Sequence, residues 1–262
     1  MSQLFSVKDK VALVTGGTSG IGFMIAQGLV NAGAKVYVAS RKQQACDDTQ
    51  HTLSAQGQCT AIVADLSTED GCDALVKALK KNEDCLDILV NNAGLTWGAP
   101  LEEYPDKAWD KINNLNVKAA FTMTKKLLPM LEKNASAVDP ARVINITSVA
   151  GKLTGSMQAY AYGPSKAALN HLTQILANEL AAKQITVNAI APGVFPSKMT
   201  KFVLENDAIA KQQADAVPLG RLGSQEDMEG LVIFLCSPAG SYLTGNIINL
   251  DGGTSVKPAP FL

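Results

Sequence analysis

Short apolar runs, rich in Val, Ile and Leu, recur along the chain and alternate with longer stretches in which apolar residues return every three or four positions. The runs are VALVT (11–15), KVYVAS (35–40), TAIVAD (60–65), LDILVN (86–91), RVINIT (142–147), ITVNAI (185–190) and NIINL (246–250). They are largely apolar on both faces, as parallel strands covered by helices are. The intervening stretches predict helices over 20–32, 42–55, 69–80, 106–131, 158–182 and 224–236. This alternation predicts an α/β, Rossmann-type, doubly wound parallel sheet of seven strands flanked by helices. In such sheets ligands bind at the carboxyl ends of the strands. No linker, repeat or low-complexity segment interrupts the pattern, so residues 1–262 read as a single domain. NASAVDP (134–140) reads as a surface loop.

The first predicted strand leads directly into TGGTSGIG (15–22), with glycines at Gly16, Gly20 and Gly22. A glycine-rich turn opening a helix presents bare backbone N–H groups at the positive end of the helix dipole, which suits a pyrophosphate. Thr18, Ser19 and Ile21 belong to the same loop. An ordinary tight turn would have the same composition, so the end of the second strand matters. There stand Ser40, Arg41 and Lys42, where dinucleotide-binding folds read the ribose 2′ position. No acidic residue repels a 2′-phosphate there and a guanidinium can hold one, so NADP(H) is expected over NAD(H).

Composition narrows the classes. Hydrophobic residues make up 47% and charged residues 18%, ample for a large core. A net charge of −1 offers no basic surface for nucleic acid or an anionic membrane. No run of about 18 apolar residues is present and the N-terminus lacks an apolar signal core, so neither membrane span nor secretion is expected. Cys46, Cys59, Cys72, Cys85 and Cys236 form no C-x-x-C pair and are accompanied by only two histidines. They read as reduced thiols of a cytoplasmic protein, with no metal site.

Tyr162 and Lys166 lie one helical turn apart, hence on one face. Ser148 follows the end of the strand at 142–147, on the ligand-binding edge, and Asn116 lies on the long predicted helix before it. Taken with TGGTSGIG, DL (65–66), NNAG (91–94), LNV around Asn116, ITS ending at Ser148, PG (192–193) and LDGG (250–253), the chain resembles the short-chain dehydrogenase/reductase family over nearly its whole length. Within it, the chain is most similar to 3-oxoacyl-thioester reductases of the rhamnolipid-synthesis type.

The resemblance implies roles. Tyr162 would be the general acid in reduction. Ser148 would donate to the substrate carbonyl oxygen, and Lys166 would bind the nicotinamide ribose and lower the tyrosine pKa. Asn116 would hold a water linking Lys166 to solvent. A tyrosine titrating at about 10 needs a drop of about 2–3 units for neutral catalysis, or about 3–4 kcal/mol. An ammonium about 5 Å away supplies ~3 kcal/mol at an effective dielectric of about 20. Asp65 and Leu66 would border the adenine, and Asn92, Ala93 and Gly94 its ribose. Pro192, Gly193, Phe195 and Ser197 would approach the nicotinamide.

Three departures from the family pattern stand out. The Ser148–Tyr162 separation is one residue longer than usual, Pro164 lies between Tyr162 and Lys166, and Ser197 replaces the more common threonine. Segments 94–98, 151–160 and 195–220 are expected around the carbonyl, the last as a lid, with Trp97, Met157, Phe195, Met199 and Phe202 making the pocket apolar. The expected activity is NADPH-dependent reduction of a ketone or 3-oxoacyl compound. An NAD(P)-dependent oxidation of a polyol or sugar, and a non-catalytic cofactor-binding regulator, are the alternatives. The resemblance also implies a homo-oligomer, tetramer or dimer, paired through the helices at 106–131 and 158–182.

Overall fold

The computed structural model describes residues 3–154, 158–196 and 207–257. Its strands are β1 (Val11–Thr15), β2 (Lys35–Ser40), β3 (Cys59–Val63), β4 (Ile88–Asn91), β5 (Ala141–Ile146), β6 (Ile185–Pro192) and β7 (Ile247–Leu250). They form one parallel sheet in the order 3-2-1-4-5-6-7. From β1 the chain winds outward to β3, then returns to the centre and winds the other way from β4 to β7. The reversal between β1 and β4 opens a crevice where the loops leaving the two strands part.

The helices are α1 (Gly20–Asn31), α2 (Gln43–Ser54), α3 (Glu69–Lys80), α4 (Asp106–Asn113), α5 (Ala119–Glu132), α6 (Tyr162–Leu180), α7 (Asp207–Ala216) and α8 (Gln225–Cys236). β1 shows how the layers arise. Ala12 and Val14 face a core built with Ile25 and Leu29 of α1 and Met228 and Val232 of α8. Val11 and Leu13 face the other core, built with Leu75 and Leu79 of α3, Met123 and Leu127 of α5, and Leu176 of α6. Successive side chains of a strand point to opposite faces, so both faces must be apolar.

Local chemistry sets several boundaries. Thr68 caps α3 through its hydroxyl, which accepts the Gly71 N–H at 3.1 Å, with Glu69 and Asp70 in the first turn and Lys77 and Lys80 in the last. Ser224 and Asp227 form a reciprocal capping box at α8. α6 starts at Tyr162, not at 158 as the periodicity predicts, which leaves Pro164 in the first turn, where its missing N–H has no intrahelical partner to lose. The helix predicted over 106–131 is α4 and α5 joined through a π-helical turn, Asn114–Lys118. Part of the segment expected to form a lid is helical, as α7. Met157, Ser197, Met199 and Phe202 lie outside the described residues.

Candidate active site

The loop after β1 carries three glycines for two different reasons. Gly16 and Gly20 adopt left-handed φ angles of +64° and +53°, open to glycine at little cost. Gly22 has no room for a side chain: a Cβ there would sit 2.3 Å from the carbonyl oxygen of Gly16 and 2.3 Å from Asn92 Nδ2. That amide donates to the carbonyl oxygens of Thr15 and Gly16 at 2.9 and 3.1 Å. In return, Thr15 Oγ1 accepts the N–H groups of Asn92 and Ala93 at 3.0 and 3.1 Å and donates to the Val90 carbonyl. The two loops at the crevice are thus stitched together. Asn92 spends its side chain on this stitch. Thr15 is a functional position that composition did not mark, because its partners lie 77 and 78 residues away.

An elongated cleft of about 310 Å³ runs along the carboxyl edge of the sheet. One end is walled by Ala39, Ser40 and Arg41 after β2 and by Ala64 and Leu66 after β3. Gly16, Thr18, Ser19, Gly20 and Ile21 form the middle with Asn92, Ala93 and Gly94 opposite. Leu115, Ile146, Thr147, Tyr162 and Lys166 form the far end. Ala39, Ala64, Leu115, Ile146 and Thr147 were not singled out for the site. Leu115 lies in the LNV motif and Ile146 and Thr147 in ITS, each beside the residue that was named, whereas Ala39 and Ala64 are small wall positions without a motif. Ser19 is the N-cap of α1 yet makes no side-chain capping bond, which leaves its hydroxyl for something in the cleft. A bare loop, a helix N-terminus and a terminal Ser–Arg pair fit a dinucleotide carrying a 2′-phosphate.

Around that end, Arg41 and Lys42 are exposed. Desolvation raises the Asp65 carboxyl, but bonds from Ser67 Oγ and N–H, with the Arg41 charge behind them, hold it below its usual range. Asp65 and Lys42 flank the cleft without forming its wall. Pro192 ends β6, and Gly193 passes so close to Asp251 that a Cβ would meet its Cα at 2.9 Å. The Phe195 ring is buried against Gly223, beside a separate small cavity near the start of α8.

At the far end Ser148, Tyr162 and Lys166 come together. Ser148 leaves β5 as the cap of a short 3-10 turn, its Oγ accepting the Ala150 N–H at 3.1 Å, and it also hydrogen-bonds the Tyr162 side chain. Lys166 Nζ lies 5.7 Å from the Tyr162 ring centroid and donates to the Ile146 carbonyl at 2.8 Å. Gly94 leaves space above them: a Cβ there would lie 3.5 Å from Lys166 Nζ and 3.2 Å from Asn116 Oδ1. Burial pushes the Tyr162 phenol up, opposed by the Ser148 bond, and pushes the Lys166 ammonium down to about 8. Burial outweighs the Ser148 contact, so the phenol lies above its ordinary range and not below it as expected.

Asn116 sits in the π turn, buried. Its Oδ1 accepts the Leu95 N–H at 2.9 Å, and its Nδ2 donates to the Leu95 carbonyl and to Ser165 Oγ, both at 3.0 Å. Ser165 Oγ in turn donates to the Tyr162 carbonyl at 2.7 Å. The amide thus clamps the loop after β4 to the first turn of α6. π turns concentrate where a helix must re-aim a side chain at a site.

A glycine-stitched crevice over a parallel sheet, ending in a Ser–Tyr–Lys cluster, defines a nucleotide-dependent oxidoreductase site. The chain belongs to the short-chain dehydrogenase/reductase family. The family model described as enoyl-(acyl carrier protein) reductase matches residues 16–255. The rhamnolipids biosynthesis 3-oxoacyl-[acyl-carrier-protein] reductase of Pseudomonas aeruginosa is 52% identical over 253 residues, covering 97% of this chain and 99% of that protein. Mouse dehydrogenase/reductase SDR family member 4 is 38% identical over 250 residues, 95% of this chain and 88% of that one. Among solved structures, the Pseudomonas aeruginosa RhlG/NADP active-site complex superposes with a TM-score of 0.95 at 51% identity, covering 97% of this chain and all of that one.

Proposed function

We propose that this protein reduces the 3-oxo group of an acyl thioester with NADPH. The observation that carries the reading is the meeting of Ser148, Tyr162 and Lys166 at one end of a cleft whose other end presents Ser40 and Arg41. The similarity to a 3-oxoacyl-thioester reductase over both full lengths supports it. Bound at the cleft, NADPH would supply the hydride. Arg41 and Ser40 would hold the 2′-phosphate, the N–H groups from Thr18 to Gly22 the pyrophosphate, and Lys166 the nicotinamide ribose. Leu66 would border the adenine, Ala93 and Gly94 its ribose, and the backbone from Pro192 to Phe195 the nicotinamide.

Ser148 and Tyr162 present two hydroxyls to the substrate carbonyl oxygen. As negative charge gathers there, Tyr162 gives up its phenolic proton to it and Ser148 donates a hydrogen bond. Burial keeps the phenol protonated at neutral pH, the form a reductase needs. The Lys166 ammonium, still charged below about pH 8, stabilises the phenolate left behind. Asn116 holds the scaffold of this relay.

Val117 of the π turn, Phe121 of α5, and Ala168 and Leu172 of α6 line one surface groove, with Ile175 one turn further along α6, and Phe121 and Ile175 are exposed. This apolar face fits a second copy of the chain, so the protein assembles as a dimer or tetramer. No helix among the described residues is long and apolar enough to cross a membrane, and all five cysteines are free thiols, which suits a reducing cytoplasm.

Oxidation of NADPH followed at 340 nm tests the reading. 3-Oxoacyl thioesters should be reduced with NADPH strongly preferred over NADH, and 2-enoyl thioesters should not. Tyr162→Phe should lower kcat at least about a thousandfold while NADPH binds within about threefold of the parent. Preference for NADH, or indifference to the loss of the phenol, would overturn it.

A further inference from the structure

Tyr104 stands on the loop between β4 and α4, 58 positions before Tyr162. Its hydroxyl accepts the N–H of Ala161 at 3.2 Å. Ala161 is fully buried and immediately precedes Tyr162. The same hydroxyl points at the Trp97 carbonyl at a longer 3.5 Å. The Tyr104 ring meets Tyr160 edge-on at 5.2 Å and 86°, and Trp109 of α4 at 6.4 Å and 71°. One further bond joins the same segments: the Ala99 N–H donates at 3.2 Å to the carbonyl of Gln158, which is held at a left-handed φ of +48°.

The start of α6 lacks the usual device for fixing a helix N-terminus. Ala161 is its cap residue and has no side chain to cap with. A buried N–H there needs an acceptor from elsewhere, and Tyr104 supplies it. On the other side of Tyr162, Ser165 donates to its carbonyl and Asn116 donates to Ser165. The backbone on both sides of the phenol is therefore tied to the loop after β4, by Tyr104, which belongs to it, and by Asn116, which binds Leu95 in it.

We propose that Tyr104 is a positioning residue for Tyr162, acting as a latch between the loop after β4 and the first turn of α6. This rests on the reading of Tyr162 as the proton donor. The latched segments also carry Trp97 and Tyr160, 53% and 37% exposed. Substrate bulk pressing on either therefore bears on the seat of the phenol. Displacements well under 1 Å at a proton donor cost rate without costing affinity.

Tyr104→Phe tests this, since it keeps the ring and removes only the oxygen. In the substrate-free protein, hydrogen exchange of peptides spanning 95–104 and 158–163 should speed up together, by at least about fivefold. In turnover, kcat should fall about tenfold with KM for NADPH within about twofold. Unchanged exchange over 158–163 would overturn the latch whatever the activity. Faster exchange with unaltered kcat would reduce Tyr104 to a structural contact and overturn the positioning role. If the parent enzyme reduces no 3-oxoacyl thioester, the substrate assignment fails, and kcat is then read on whichever carbonyl it does reduce.

Discussion

Lys166 is a charged group that the fold makes uncomfortable. It is 4% exposed, and burial lowers its pKa from 10.5 to about 8. Below about pH 8 both folded and unfolded chains carry the charge, and the folded state bears the full cost of burying it. Between about 8 and 10.5 the unfolded chain binds more protons, so this group's contribution makes stability rise with pH, by ~3 kcal/mol over the window. The buried Cys236 thiol, pushed up to about 12, acts with the opposite sign from about pH 9 upward. The comparison that isolates the lysine is therefore with Lys166→Met. Denaturant unfolding at pH 7.5 and at pH 10 should show the variant at least as stable as the parent at 7.5, with the advantage gone at 10, while its reductase activity is nearly abolished. A variant several kcal/mol less stable at pH 7.5 would show that the bond to the Ile146 carbonyl outweighs desolvation. The lysine was legible from its spacing to Tyr162. Its discomfort was not, because burial comes from strands and loops distant in sequence.

At the scale of elements, what could be read locally was read well. α3 and α8 fall within a residue of their expected limits because Thr68 and Ser224 cap them through groups three residues away. What depends on contacts between distant loops was not legible. Asn92 was expected beside a ribose, and its motif gave no hint that its side chain ties the turn after β1 to the turn after β4. Asn92→Ala should cost about 1–3 kcal/mol and loosen NADPH binding, measured by denaturant unfolding and by cofactor fluorescence. It should not make room for a methyl at position 22. The carbonyl oxygen of Gly16 stays 2.3 Å from that Cβ, so Gly22→Ala should fail to bind cofactor in either background. The π turn left no trace, because the buried residues Leu115, Ala119, Met123, Leu127 and Leu131 keep the same spacing of four on through the regular helix α5.

For the whole molecule, the order 3-2-1-4-5-6-7 places the site's groups at one edge of the sheet, away from the apolar face around Phe121 proposed above for a second copy. If that proposal holds, light scattering at micromolar concentration should give the mass of a dimer or tetramer for the parent and of a monomer for Phe121→Glu, which puts a charge on the face. The fold class and the order of its units were visible in the alternation of the chain, since each βα unit carries its own periodicity. The sites between units were visible only where a motif marked them. The π turn lies between the site and that surface groove: Asn113 and Phe121 on either side of it line the groove, and it holds Asn116. In the gene, it is one codon's worth of slack. A lineage that lost a single codon there could restore an ordinary helix at once, and would keep its sheet. What lies beyond it would keep nearly its place, because a π turn closes over five residues where an α-helical turn closes over four. The aim of Asn116 at Leu95 and Ser165 would be lost, so the clamp on the first turn of α6 hangs on one residue of slack.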